Sequence, residues 1–348
     1  MGSVFAYEPL QMEQYLRCLL CNRSCGANRA KGERGFCGEG ISLRVAWAGI
    51  HRGEEPVLCG PGGSGTIFFT GCTLKCFFCQ NCQLSRGGMG KEITEETFAA
   101  LCLKLQDAGA ENINLVTGTQ WIPSIVEGLR RAKDSGLRIP VLWNSSGFEN
   151  DLALSLLQPW IDVYLPDLKT LDPAFSKELF GTSRYPETAT KAIQRMVEIR
   201  APQFEGDRMV KGVIVRHLVL PGFLENTREV LQWFSQNLKY RAILSLMFQY
   251  TPLPSDLVPS KEVKAASWVE WNRGITEEEY GKVLEYLEEF RIRDGFVQEH
   301  TPQDNLLPDF SKPNAFPANL ATPIWSWVEP NKLALANDLN RDPGSSVF

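Results

Sequence analysis

Six short apolar and β-branched runs, separated by stretches with helical periodicity, constrain this chain more than any other feature. They are Thr66 to Thr70, Asn112 to Thr117, Pro140 to Asn144, Ile161 to Leu165, Lys211 to Arg216 and Ala242 to Phe248. Runs this short and this apolar read as strands buried on both faces. The intervening segments carry helix signals. Thr94 caps a helix that opens on Glu95 and Glu96 and stops at Gly109, Ile122 to Lys133 forms the next, and 173–180, 186–199 and 224–237 follow. Strands alternating with helices make parallel βα units, whose sheet either lies open or curls into a barrel. In a barrel, the working residues sit at the C-terminal strand ends. Thr117, Asn144, Asp167, Arg216 and Gln249 all fall at or just after such ends, whereas the strand interiors are apolar.

The cysteines cluster. Of ten in the chain, Cys72, Cys76 and Cys79 lie on the loop after the first strand with the spacing C-x3-C-x2-C. Three thiolates on one loop hold three irons of a 4Fe-4S cubane and leave the fourth iron open to another molecule. Zinc prefers four ligands, usually from two separated pairs, and fits this spacing poorly. Cys82 is the complication: as a fourth ligand it would close the cluster and make the chain a non-catalytic two-cluster electron carrier or scaffold.

A second group, Cys18, Cys21, Cys25 and Cys37, is spaced C-x2-C-x3-C-x11-C on a loop-rich segment with too few apolar residues to fold unaided. Four thiolates suit zinc or a closed 4Fe-4S cluster, and the neighbouring motif favours iron–sulfur. Cys59 and Cys102 fall outside both groups, and Cys102 reads as a small core residue.

A formal charge of −5 argues against nucleic-acid binding. No apolar run is long enough for a membrane helix, and the first residues, with Glu8 and Glu13, do not read as a secretory signal, so the expected compartment is the cytoplasm. His51, His217 and His300 are too few and too scattered for a hydrolytic triad. After about 296 the chain is punctuated by Pro302, Pro308, Pro313, Pro317, Pro323 and Pro330; it is expected to run extended along the surface, anchored by Trp325 and Trp327 and frayed from about Asn340.

The cysteine loop, with Phe78 before its last cysteine, resembles the signature of the radical S-adenosylmethionine (radical SAM) enzymes. From Gly60 to about Gln249 the chain resembles the pyruvate formate-lyase activating type, the activators of glycyl-radical enzymes. The residues that carry the likeness are the glycine-rich lead-in from Gly60 to Cys72, Asn144-Ser-Ser-Gly-Phe148, Asp167-Leu-Lys169 and Arg216-His-Leu-Val-Leu-Pro-Gly222. The N-terminal four-cysteine preface looks like an activase-homologue branch of that group.

The resemblance implies an α/β fold, a partial (β/α)6 TIM-type barrel at 56–296, with a cysteine-rich metal or iron–sulfur segment at 1–55 and a proline-rich extension at 297–348. It implies a 4Fe-4S cluster on Cys72, Cys76 and Cys79 that reductively cleaves S-adenosylmethionine to a 5'-deoxyadenosyl radical, a hydrogen abstractor. Phe78 would lie by the adenine. Thr117, Gly118 and Thr119 occupy the Gly-Gly-Glu position that binds the amino group, without its acid. Asn144 and Ser146 would approach the ribose or carboxylate, and Asp167, Lys169 and Arg216 would line the cavity. The implied partners are an electron donor such as flavodoxin or ferredoxin and a substrate, which is a glycyl-radical enzyme, another protein or peptide, or a small molecule.

Overall fold

The computed structural model describes residues 13–257, 268–300 and 307–331. One 11-stranded sheet organises it. Its strands are β1 (Arg44–His51), β2 (Ser64–Phe69), β3 (Lys91–Glu92), β4 (Ile113–Val116), β5 (Val141–Ser145), β6 (Val163–Pro166), β7 (Gln203–Glu205), β8 (Arg208–Leu218), β9 (Ile243–Met247), β10 (Gly295–Val297) and β11 (Ala321–Ser326). Their order is β10-β9-β8-β6-β5-β4-β2-β1-β11, with β3 paired to β1 and β7 to β8 off this path. Every neighbour pair from β2 through β10 is parallel. β1 runs antiparallel between β2 and β11. The path has two free ends, so this is a partial barrel of the TIM type rather than a closed one.

The six runs read from the sequence are β2, β4, β5, β6, β8 and β9. The helices also form as expected: Glu95–Asp107, Ile122–Asp134, Pro173–Phe180, Tyr185–Ile199 and Leu224–Asn237. Thr94 caps the first of these, its side chain accepting from the Thr97 amide. Outward-facing strand residues such as Leu115, Trp143, Tyr164 and Val215 pack under these helices in the main core. Each large side chain buried there contributes about 1.5–3 kcal/mol.

The concave side is filled by chain from outside the βα units. Leu58 and Val57, from the segment between β1 and β2, meet Leu142, Val163, Leu165 and Ile214. Phe310 and Phe316 meet Trp47, Phe68 and Val116.

β1 lies within the N-terminal unit drawn from the sequence, yet it belongs to the sheet. Its Ala46, Ala48 and Gly49 are weak strand formers, which hides the pattern. Tertiary packing requires Gly49 to be small: a Cβ there would stand 2.4 Å from Thr322 O and 2.4 Å from the Trp47 ring. The tail supplies β11, and both tryptophans anchor it: Trp325 Nε1 donates to Pro330 O at 3.2 Å and Trp327 Nε1 to Phe310 O at 2.7 Å. The fraying expected from Asn340 lies outside the described residues.

Candidate functional site

Because β2, β4, β5, β6 and β8 run parallel, the loops leaving them meet along one edge. The loop after β2 carries the first cysteine group. Gly71 turns it with φ +78°, and a Cβ there would stand 2.4 Å from Glu39 Cγ and 3.1 Å from Cys37 O, so only glycine fits. Cys72 and Cys76 are buried and Cys79 half-buried, all three as free thiols. The amides of Leu74 and Lys75 donate to Cys72 Sγ at 3.3 and 3.5 Å. Lys75 adopts φ +55° there.

Burial pushes the Cys72 and Cys76 thiols up, the neighbouring Cys79 adds to this, and the Lys169 ammonium opposes it. A metal that binds these sulfurs as thiolates would take the place of the proton. Among the described residues no three His, Cys, Asp or Glu side chains close around one point as the ligands of a single ion do. Three cysteines spaced C-x3-C-x2-C on one loop suit three corners of a cubane better than the four-ligand set of a lone zinc ion. Cys82 opens the short helix Cys82–Ser85, buried, with Arg86 and Cys79 as neighbours.

The other strand ends supply polar groups. After β4, Thr117 takes φ +60°, a costly conformation for a β-branched residue, and its amide donates to Asn144 O at 2.9 Å. Thr119 Oγ1 donates to Glu149 Oε1 at 2.6 Å, so that hydroxyl is committed. Gln120 Nε2 donates to Thr70 O, Gly71 O and Thr117 O at 2.8, 3.1 and 2.7 Å. Among the described residues its buried Oε1 has no hydrogen-bond partner. Asn144 and Ser146 are half-buried at the end of β5. Lys169 Nζ pairs with Asp167 Oδ2 at 2.6 Å, and the Tyr185 hydroxyl donates to Asp167 O at 2.8 Å. Gln80, just past the cysteine loop, donates to Gln249 O at 2.7 Å and ties that loop to the end of β9.

The sequence profile of the Radical SAM superfamily matches residues 66–234, which begin in β2 and take in the loops after β4, β5, β6 and β8. An uncharacterised protein of Methanocaldococcus jannaschii is 32% identical over 287 residues, covering 80% of this chain and 76% of its own length. The chain belongs to the radical SAM superfamily. Among solved structures it is similar to SuiB of Streptococcus suis bound to its precursor peptide SuiA, at 15% identity over 66% of this chain and 46% of that one, with a TM-score of 0.45. It thus spans under half the length of SuiB. It is also similar to a domain of the pyruvate-formate lyase-activating enzyme of Bacteroides vulgatus, at 13% identity over 51% of this chain and 91% of that one, with a TM-score of 0.35.

Radical SAM proteins use a 4Fe-4S cluster and S-adenosylmethionine, and two features of this chain fit that pair. The free, largely buried thiols of Cys72, Cys76 and Cys79, with amides aimed at Cys72, suit an iron–sulfur cluster. The orphan Gln120 Oε1, on the amide whose Nε2 donates to Thr117 O, is an acceptor that an ammonium group would satisfy. Phe78 stacks on Trp271, centroids 5.6 Å apart and planes 10° apart, within an aromatic group that includes Phe77, Phe180 and Tyr250. Arg216, expected to line the cavity, is engaged by the segment between β1 and β2: its Nε reaches Glu55 Oε1 at 2.8 Å, its Nη2 reaches Glu55 Oε2 at 2.5 Å, and it also pairs with Glu54. His217 is no base. Its Nδ1 meets Leu168 O at 2.7 Å and its Nε2 meets Thr227 Oγ1 at 3.0 Å, and burial lowers its pKa to about 4.

The second cysteine group assembles against this loop. Burial, and then the neighbouring Cys18, Cys37 and Cys25 thiols, push Cys21 up to about 12, which places those three sulfurs within electrostatic reach of Cys21. Arg23, between two of these cysteines, donates to Thr73 O at 2.9 Å, Leu74 O at 3.4 Å and Phe180 O at 2.6 Å. Arg29 donates to Gly40 O at 2.7 Å and Gln120 O at 2.5 Å. Sequence reasoning missed Arg23, Gln120 and Glu149. Arg23 could have been noticed as a cation inside a cysteine motif, whereas Gln120 and Glu149 carry no local signal.

Proposed function

We propose that this radical SAM protein is an enzyme that abstracts a hydrogen atom from a substrate held at the C-terminal edge of its sheet, and that the substrate is a glycine of a partner protein. When bound, the cluster and S-adenosylmethionine supply a 5'-deoxyadenosyl radical by reductive cleavage of the sulfonium, the electron coming from a donor such as flavodoxin or ferredoxin. The observation that carries this reading is the free three-cysteine loop at the end of β2, on the same edge as the Thr117–Thr119 turn and the Asp167–Lys169 pair.

In this reading Cys72, Cys76 and Cys79 bind three irons and leave the fourth open. Thr117, Gly118 and Thr119 receive the amino group of S-adenosylmethionine, mainly through backbone carbonyls, with Asn144 and Ser146 beside its ribose or carboxylate. Phe78 lies by the adenine. Asp167 and Lys169 form a neutralised pair in the cavity wall, with Arg216 behind it. The aromatic group around Trp271 keeps water from the radical, which would otherwise attack nearly anything it met. Cys18, Cys21, Cys25 and Cys37 form a second metal site. The order of motifs from Gly60 to Gly222 supports a glycyl-radical enzyme as the partner.

The test is anaerobic reconstitution with iron and sulfide, then reduction by dithionite with S-adenosylmethionine present. The expected product is 5'-deoxyadenosine. About eight irons per chain would mark a second cubane, and about four with one zinc would mark a zinc site. A reduced cluster indifferent to S-adenosylmethionine would overturn the enzymatic reading. Turnover of a small metabolite, with no radical on any candidate glycyl protein, would end the activase part alone.

A further inference from the structure

Glu149 directly follows the Asn144–Phe148 turn and is 2% exposed. Its Oε1 accepts from Thr119 Oγ1 at 2.6 Å and from Trp143 Nε1 at 3.3 Å, and its Oε2 accepts from Ser145 Oγ at 3.1 Å. All three partners are neutral donors. They come from two different elements, Thr119 from the turn after β4, and Trp143 and Ser145 from strand β5. The backbone is held as well: Cys21 and Glu149 form an antiparallel bridge, and Asn22 Nδ2 donates to Glu149 O at 3.1 Å.

An acidic side chain buried among neutral donors is a poor choice for stability, because desolvating its charged form costs more than burying an apolar side chain of the same size, and that burial pushes the Glu149 carboxyl up from the usual range. What it provides is geometry. Thr117 sits at φ +60°, a conformation a β-branched residue leaves unless its surroundings hold it. The Thr119–Glu149–Ser145 chain of hydrogen bonds ties that turn to the neighbouring one.

We propose that Glu149 is a positioning residue for S-adenosylmethionine: its carboxyl group locks the Thr117–Thr119 turn to the end of β5 and so fixes the backbone that receives the amino-acid end of the cofactor. This rests on the placement of S-adenosylmethionine at those two loops proposed above. The acid missing from the turn itself is thereby supplied from 30 residues further along the chain. Because Cys21 and Asn22 hold the Glu149 backbone, the four-cysteine segment braces the same joint.

The experiment compares wild-type holoprotein with Glu149→Gln, which keeps the volume but presents an amide N–H₂ to groups that are themselves donors. Binding of labelled S-adenosylmethionine is measured by equilibrium dialysis, alongside the shift it causes in the spectrum of the reduced cluster. The expected result is a dissociation constant raised roughly 10-fold or more, the scale on which outer partners of a ligand-holding group act. Iron content should be unchanged, and KM for S-adenosylmethionine should rise while kcat at saturation is retained. Thr119→Val and Ser145→Ala each remove one donor, should weaken binding in the same direction, and should add little when combined with Glu149→Gln. They carry the test if Glu149→Gln does not accumulate. Wild-type affinity in Glu149→Gln, or in both donor variants, overturns the proposal. Failure of the wild-type protein itself to bind S-adenosylmethionine would instead overturn the functional reading beneath it.

Discussion

Arg23 Nε donates to Thr73 O at 2.9 Å, joining the four-cysteine segment to the loop that carries Cys72, Cys76 and Cys79. The same guanidinium reaches Leu74 O and Phe180 O and lies 3.7 Å from the centroid of the Phe36 ring. Two cysteine groups that are separate in sequence are therefore held as one body. Arg23→Ala is expected to lower stability by about 2–3 kcal/mol, the scale of charged hydrogen bonds lost from partly buried carbonyls. It should also slow cluster assembly, read as iron bound per chain over time. Arg23→Lys should not restore either property, because an ammonium cannot reproduce the planar fork. Full iron loading at the wild-type rate in Arg23→Ala would mean the clamp is dispensable.

Gly71→Ala tests the close approach of the two loops. The added Cβ would meet Glu39 and the carbonyl of Cys37 while forcing alanine to a positive φ. The expected cost is about 1–3 kcal/mol from strain alone. A more telling result would be loss of the visible absorption of the reconstituted cluster. An alanine variant with normal absorption and unfolding midpoint would show that the loops can separate without harm.

Cys82 and Cys76 should behave oppositely. Cys82→Ala is expected to keep all the iron and its response to S-adenosylmethionine, since Cys82 is a buried residue on the first turn of its own helix. Cys76→Ala should lose about four irons, one cubane. If Cys82→Ala lost the same irons, the cluster would be closed by four thiolates and the open-iron chemistry would fail with it.

His217 sets an acid limit on stability. It is neutral in the fold, with its pKa lowered to about 4, and rises to the ordinary value of about 6.5 on unfolding. The unfolded chain therefore binds the extra proton between those values. The stabilisation is complete above about pH 6.5 and falls by about 3 kcal/mol in total as pH drops towards 4, with no further change from this group below that. Urea midpoints measured across this window should show the slope, and His217→Asn should flatten it. An unchanged slope in that variant would assign the pH dependence to other groups.

Local pattern determined much of this protein. The run Asn112–Thr117 is a strand because its apolar residues are buried on both faces, and Thr94 marks a helix start with its own side chain. The spacing of Cys72, Cys76 and Cys79 is a local property too, since one loop carries all three.

β1, β10 and β11 were not legible in this way. Ala46, Ala48 and Gly49 have little strand propensity, and they pair only because β2 and β11 flank them. The site divides along the same line. Sequence located the cysteines and the strand-end polar residues, but tertiary structure decided that Arg216 is held by Glu54 and Glu55, that Arg23 grips the cluster loop, and that Glu149 joins Thr119 to Ser145. Each of those contacts links residues whose separation along the chain carries no periodicity or spacing. Only folding brings such groups within hydrogen-bond range, so no reading of neighbours in sequence finds them.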